Sequence, residues 1–302
     1  MKYIKKLFGG IDMTWKRLLI FSVAAGVIPG ILLCIPILED TSFTDNGATF
    51  EWWILFAIII ITNCKKPLEA ACKTFVFFLI SQPLIYLVQV PFCWLHWGIF
   101  SYYRTWFLWT LLTFPGAFLG WFVTKKKWYS LLILSPMLAL LAMTGMGYLH
   151  GTVYQFPRHL LTVIFCAAVM YVLVLAIFED KKLIIAGSIL NTVLLGTFFF
   201  TTVYRQPLAA SNIAPRDQYA ELDPDMNYTA VSSDESVVRL HYEEKDYPHG
   251  WQAEFYKRGT AQLTFTGNDG SRIIYDVTFG DNYYIDFSLK ERTPAPQRQE
   301  ER

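Results

Sequence analysis

Five basic side chains stand at the ends of long apolar runs, where they could do chemistry together: Arg104, Arg158, His96, His150 and His159. Charge at a membrane boundary is costly to keep and is often functional. An arginine offers a planar fork of donors that matches a carboxylate or phosphate, and a histidine can give or take a proton near neutral pH. The set could hold an anionic ligand, or it could pair with Glu39, Asp40 and Glu51. The competing reading is structural, because arginine and histidine at helix ends also extend to lipid headgroups. Arg158 and His159 follow Pro157, a residue favoured in a first helical turn, so both are predicted in the N-terminal turn of a helix. Backbone amides there would add to an anion site, while the helix dipole disfavours the two cations.

Gln82 and Gln89 are seven residues apart and share a helix face, with Pro83 loosening the backbone beside the first. Such amides line a solute path or bond neighbouring helices, and Asn63 and Asn191 carry the same two readings. Trp94, Trp97, Tyr102, Tyr103, Trp106 and Trp109 crowd one stretch; interfacial anchoring accounts for them, and an aromatic pocket is the alternative. Cys34, Cys64, Cys72, Cys93 and Cys166 all lie in or beside apolar runs, with no Cys-x-x-Cys or Cys/His cluster. They are predicted to pack as small apolar residues, and neither a metal nor a cofactor is expected. The patterns His-Glu-x-x-His, Gly-x-Ser-x-Gly, Gly-x-x-x-x-Gly-Lys and Gly-x-Gly-x-x-Gly do not occur in the sequence. The run Glu243-Glu244-Lys245-Asp246 reads as a solvated loop unless further oxygens make it a calcium site.

The elements that position these residues follow from composition. The chain has 302 residues, of which 54% are hydrophobic and only 17% charged, and its mean hydropathy is +0.32. A soluble domain carries about 25% charged residues, so the shortfall points to lipid. The net charge of +1 averages two unlike parts: residues 1–204 carry 15 Lys and Arg against 8 Asp and Glu, and residues 205–302 carry 11 against 17. A basic membrane portion followed by an acidic water-facing domain is therefore expected, with no nucleic-acid partner.

Crossing the hydrocarbon core takes about 20 apolar residues. Seven runs qualify: Leu18–Leu38, about Thr49–Cys64, about Leu68–Phe92, about Thr105–Thr124, Trp128–Tyr148, about Leu160–Phe178 and Leu183–Tyr204. The second is short and carries Glu51 at one end. The first is too long for the apolar region of a cleaved leader and is read as a span, with Pro29 and Pro36 tolerated among neighbouring helices. Loops on the cytoplasmic side retain Lys and Arg. An inside N-terminus puts 13 of the 15 basic residues inside and leaves Arg104 and Arg158 outside with the acids. The expected topology is N-terminus in, C-terminal domain out.

Past Tyr204, residues 205–226 read as a tether rich in Pro, Ala and Ser. The stretches Val237–Tyr242, Trp251–Tyr256, Ala261–Thr266, Arg272–Phe279 and Tyr283–Leu289 are rich in β-branched and aromatic residues. Ala261, Leu263 and Phe265 alternate with Gln262, Thr264 and Thr266, the pattern of a half-buried strand. Gly267-Asn268-Asp269-Gly270-Ser271 predicts a hairpin between the third and fourth stretches. A small β-sandwich over residues 227–290 is expected, with a polar tail at 291–302.

The run "YTAVSSDESVVRL" followed by "KRGTAQLTFTGNDGSRIIYDVTF" resembles the bacterial Ig-like domain of group 2. The matching positions are Ser233, Asp234 and Val237, then Gly259, Thr260, Ala261 and Leu263, then Asp269, Gly270, Tyr275 and Val277. The segment "HYEEKDYPHGWQAEFY" departs from that pattern. The resemblance implies a bacterial surface and a structural or adhesive module, and it disfavours use of the sequon Asn227-Tyr228-Thr229.

Three functional classes remain open. The first is a non-enzymatic protein of the bacterial cell membrane that presents an Ig-like domain to an envelope polymer or extracellular protein; it is favoured because that domain is the one recognisable module. The second is a small-solute transporter or its substrate-binding subunit, with Gln82, Gln89 and the outer arginines and histidines forming the path. The third is a membrane enzyme on an envelope or lipid-linked substrate, with His150 or His159 as acid or base and Arg104 or Arg158 on a phosphate.

Overall fold

In lipid every backbone amide must be paired internally, so the long apolar runs fold as helices. The computed structural model describes residues 2–45, 49–154, 156–213, 222, 226–243, 250–280 and 284–294, and the chain divides into two units at Tyr204 and Arg205. The first unit comprises α1 (Lys2–Leu7), α2 (Trp15–Leu32), α3 (Ser42–Asp45), α4 (Glu51–Thr62), α5 (Pro67–Gln89), α6 (Phe100–Gly120), α7 (Trp128–Tyr154), α8 (Leu160–Ile177) and α9 (Lys181–Phe198). Six helical stretches, Trp15–Leu32, Pro67–Gln89, His96–Lys125, Trp128–Val153, Leu160–Ile177 and Lys181–Tyr204, are long and apolar enough to cross a membrane. The apolar helix α4 has 12 residues, about 18 Å at the helical rise.

Local chemistry sets the boundaries. Thr14 caps α2 through the Arg17 amide, Asp180 caps α9 through the Lys182 amide, and Pro67 opens α5 where its missing N–H costs nothing. The first run ends as a helix at Leu32 and not at Leu38. Ile35 is extended ahead of Pro36, and residues Pro36–Leu38 form a separate 3-10 turn.

Helices α2 and α5 pack in parallel. Lys73 Nζ bonds Met13 O just before α2, Gly26 lies against Ser81 and Leu84, and Gly30 lies against Ile85 and Val88, so the two sequences advance together. A Cβ on Gly26 would stand 2.5 Å from the Ser81 carbonyl oxygen. The pair Gly26-x-x-x-Gly30 is the small-residue spacing that lets membrane helices approach closely. At the opposite face α7, α8 and α9 share a core in which Leu134, Leu138, Leu141, Met170, Leu173 and Val174 are fully buried.

The second unit is a two-sheet antiparallel β structure. Its strands are β1 (Ala209–Ile213), β2 (Tyr228–Ser232), β3 (Val238–Glu243), β4 (Gly250–Phe255), β5 (Gly259–Gly267), β6 (Arg272–Phe279) and β7 (Ile285–Thr293). One sheet has the order β1-β4-β3 and the other β2-β5-β6-β7. Phe255 of the first sheet meets Phe279 and Phe287 of the second at 5.1 and 6.3 Å between ring centroids, and Trp251 meets Phe265 at 5.9 Å. One core therefore joins both sheets. The expected hairpin is present: Thr266 pairs with Arg272, Gly270 takes φ +88°, and the Asp269 carboxylate accepts from the Ser271 amide.

Two boundaries are corrected. Residues 209–213 lie in the stretch read as a tether but form β1, an edge strand on β4. Ala-Ala-Ser-Asn-Ile has one β-branched residue, so its alternation was not legible. The last strand runs on to Thr293, into the segment read as a polar tail, because its side chains beyond Phe287 are exposed and show no apolar alternation. Residues 214–221, 223–225, 244–249 and 295–302, which hold the rest of the tether, most of the departing segment with the Glu244-Lys245-Asp246 run, and the end of the tail, lie outside the described residues.

Candidate functional site

Between α2 and α4 the chain turns through a short irregular segment rich in hydroxyls. The Thr41 and Thr44 hydroxyls donate to the Leu38 carbonyl at 2.6 and 3.0 Å, which fixes the turn leading into α3. Ser42 ties α3 to the start of α8: its amide and hydroxyl donate to the Arg158 carbonyl at 2.9 and 3.1 Å, and its oxygen accepts from the Thr162 amide at 3.2 Å. These bonds present Asp45, at the end of α3, to α8.

Asp45 is 6% exposed and heavily bonded. His159 Nδ1 lies 3.2 and 3.1 Å from its two oxygens, and Thr162 donates its hydroxyl at 2.5 Å. A carboxylate only accepts, so Nδ1 carries a proton in this contact. Beneath this group Glu51 opens α4 and is fully buried. Thr49 Oγ1 stands 2.7 Å from the Asp45 carbonyl and 2.5 Å from Glu51 Oε1, while Glu51 Oε2 has no partner among the described residues.

The group forms one wall of a cavity of about 700 Å³. Glu39, Asp40 and Asp45 contribute carboxylates, His159 and Gln89 contribute nitrogen, and Tyr148 and Trp94 contribute rings. Among the described residues no lysine or arginine lines it.

The residues singled out in the sequence are partly brought together. His159 is in the wall, and Arg158 points its guanidinium at exposed Asp40, 3.8 Å away. Neither begins α8. Leu160 does, with its amide bonded to the Pro157 carbonyl, so the predicted first turn is a bend before the helix. Arg104 and His96 are exposed on and before α6, His150 is half-buried on α7, and none of the three lines the cavity. Glu51 sits within the protein and not at its surface. Gln89 is on the wall with its amide nitrogen bonded to the Ile85 carbonyl at 3.0 Å. Gln82, about 10.5 Å deeper along the helix, is 1% exposed, and both of its amide atoms lack partners among the described residues. Asn191 is buried with the same deficit. Asn63 instead pins the N-terminal segment, accepting from the Gly9 and Ile11 amides and donating to the Leu7 carbonyl.

The aromatic stretch divides. Trp94, Trp97 and Tyr102 are exposed, whereas Trp106 and Trp109 pack around Phe50 at the head of α4. Sequence reasoning missed Thr49, Thr162 and Tyr148, and it counted Asp45 only as loop charge. The available signal was Thr49 beside Glu51 at the head of an apolar run. Among the described residues no group of three His, Cys, Asp or Glu is placed to hold a metal ion.

Comparison with protein-family models, with curated proteins and with solved structures yields no match. The functional argument therefore rests on the geometry.

Proposed function

We propose that this chain is a membrane protein with seven crossings, its N-terminus on the lysine-rich side, that receives a positively charged group of a solute in the Asp45 cavity from the opposite side. The observation that carries the reading is the cavity wall: among the described residues it has three carboxylates, the rings of Phe92, Trp94 and Tyr148, and no lysine or arginine. A low-dielectric cleft lined by one sign of charge concentrates ions of the other, and the Trp94 and Tyr148 rings attract a cation further. This reverses the sign expected from Arg104, Arg158 and the histidines. Parallel α2 and α5 support the seventh crossing, since residues 33–66 must return between them and α4 is the apolar helix available. Gln82, buried below Gln89 and without a partner among the described residues, supports a carrier over a mere receptor.

The β unit is read as an Ig-like module facing the envelope of a bacterial cell, for contact with an envelope polymer or another protein. Its seven antiparallel strands and shared core support this reading. Its strand order departs from the constant-type immunoglobulin arrangement, in which the fourth and fifth strands share a sheet.

The test is calorimetric titration of the full chain in lipid nanodiscs with tetramethylammonium and, separately, with acetate. Ammonium binding is expected, weakening as salt rises and falling in the Glu39→Gln/Asp40→Asn double variant. Acetate binding without ammonium binding would overturn the proposal in favour of an anion site at Arg158 and His159.

A further inference from the structure

The parallel packing of α2 and α5 carries two thiols to one end of the pair. Gly26 lies against Ser81 and Leu84, and one turn further on Gly30 lies against Ile85 and Val88, so a step of four on one helix is matched by a step of four on the other. The next step reaches Cys34 from the first helix and residues 89–92 from the second, with Cys93 directly after them. Local bonds keep both cysteines on this line. Cys34 Sγ donates to the Gly30 carbonyl at 3.2 Å, beside the glycine that touches α5, and the Cys93 amide donates to the Gln89 carbonyl at 2.9 Å, which sets Cys93 one turn beyond Gln89. Both line the Asp45 cavity, and each thiol opposes ionisation of the other.

The remaining cysteines are placed differently. Cys64 and Cys166 are buried, and Cys72 lies within α5. Cys34 and Cys93 are half-buried and stand in turns beyond the ends of their helices. A disulfide needs Cα atoms about 4.4–6.8 Å apart and Cβ vectors that converge. Backbone in a turn settles to that geometry more readily than backbone held in a helix.

We propose that Cys34 and Cys93 form a disulfide that ties the segment carrying Glu39, Asp40 and Asp45 to the segment carrying Gln89 and Trp94, and so fixes the spacing of the cavity lining. The proposal rests on the orientation given above, which puts both cysteines on the side away from the lysines, beyond the reach of the thiols that keep the cytoplasm reducing. The oxidant is a second disulfide, carried by a small molecule or by a thiol-exchange protein. The thiolate of one cysteine attacks a sulfur of that disulfide and expels the other sulfur as a thiolate; the thiolate of the second cysteine then attacks the protein sulfur of the mixed disulfide and expels the remaining sulfur. One S–S bond breaks and one forms, two electrons pass to the oxidant, and the two cysteine protons end on its two thiols.

The test is peptide mapping by mass spectrometry of the full chain in detergent, first reduced and then treated with dithiodipyridine, a small disulfide. The expected product is a peptide linking Cys34 to Cys93, lighter by two hydrogens than its reduced parts. Pyridyl adducts or free thiols at both cysteines in place of that link would overturn the proposal. The linked chain should melt about 4–16 °C above the reduced chain, and this difference should be absent in Cys34→Ser. Equal melting of the linked and reduced chains would overturn the claim that the bridge fixes the lining. A charged, membrane-impermeant maleimide applied to reduced intact cells separates the pair from the orientation. Labelling of both cysteines is expected; labelling that appears only after the membrane is opened, with the link still formed in detergent, would overturn the orientation and leave the pair.

Discussion

Replacing Asp45 by asparagine keeps the shape of the side chain and removes one of its two acceptor oxygens together with the charge. Two donors converge on that carboxylate, from Thr162 at 2.5 Å and His159 at 3.1 Å. Bonds to a charged acceptor are worth about 1.5–3 kcal/mol each, and neutral ones about 1 kcal/mol, so the surviving bonds weaken. At least one donor then faces the new amide N–H and is orphaned in a site that is 6% exposed, at a further cost of about 1–3 kcal/mol. A total near 3 kcal/mol lowers the melting temperature of a unit of this size by about 6–12 °C. The assay is thermal unfolding of the purified full chain in detergent, followed by tryptophan fluorescence. Thr162→Val alone removes one bond and should cost less. The Asp45→Asn/Thr162→Val double variant should be non-additive, with a coupling of about 0.5–3 kcal/mol. An Asp45→Asn chain melting within about 2 °C of the unaltered protein would refute the reasoning, as would strict additivity.

Gly26→Leu forces α2 away from the Ser81 carbonyl and should cost more than about 1–3 kcal/mol, whereas Gly116→Ala, with open space at its Cβ, should stabilise α6 by up to about 1 kcal/mol; both are read from melting temperature. The β unit holds no cysteine, so residues 205–302 produced alone should fold without oxidant or metal, and Phe255→Ala should cost that unit about 3–5 kcal/mol in urea unfolding. Hydrogen bonds from the Ser236 hydroxyl and amide hold the exposed Asp234 carboxyl below its ordinary range, so its contribution is present above the unfolded value of about 3.9 and is lost as pH falls through the lower folded value. The stability difference between the parent unit and Asp234→Asn should therefore vanish below that window, as measured by unfolding at a series of pH values. Reporter fusions after Lys127 and Lys182 should read cytoplasm and a fusion after Pro215 the exterior; a cytoplasmic reading at Pro215 would refute the seventh crossing.

What the sequence made legible was local. Apolar runs of crossing length survive as helices because their pattern requires no partner to be recognised, and the Asp269-Gly270 hairpin is specified by its own turn chemistry. The candidate site is different. Asp45 and His159 are 114 residues apart, and Asp45 and Thr162 are 117 apart. Nothing in the periodicity of either segment encodes that meeting. The basic residues looked like a set because they share a boundary in sequence, but a boundary is a ring around the whole helix bundle, and neither Arg104 nor His96 lines the cavity that His159 lines. The Gly26-x-x-x-Gly30 spacing is visible in the sequence, but the packing of Ser81 and Val88 against it is not.

The shortness of α4 explains why a polar site exists where it does. On the seven-crossing reading, α4 supplies about 18 Å of a hydrocarbon core about 30 Å thick, and the irregular chain before it must make up the remainder. Non-helical backbone at that depth is tolerated only where protein or a water-filled cavity satisfies its polar groups. Both conditions are met: Thr41, Thr44, Thr49 and Ser42 bond backbone groups of the segment and of the Arg158 turn, and the 700 Å³ cavity lies against its other side. A full-length helix in place of residues 39–50 would need neither the hydroxyls nor the cavity, and it would leave no loop to carry Asp45 to His159. Because Asp45 is buried while Glu39 and Asp40 are exposed at the rim, salt screens Asp45 less than it screens them. The cation affinity remaining at high ionic strength should therefore belong to Asp45, and the part that salt removes should belong to the rim.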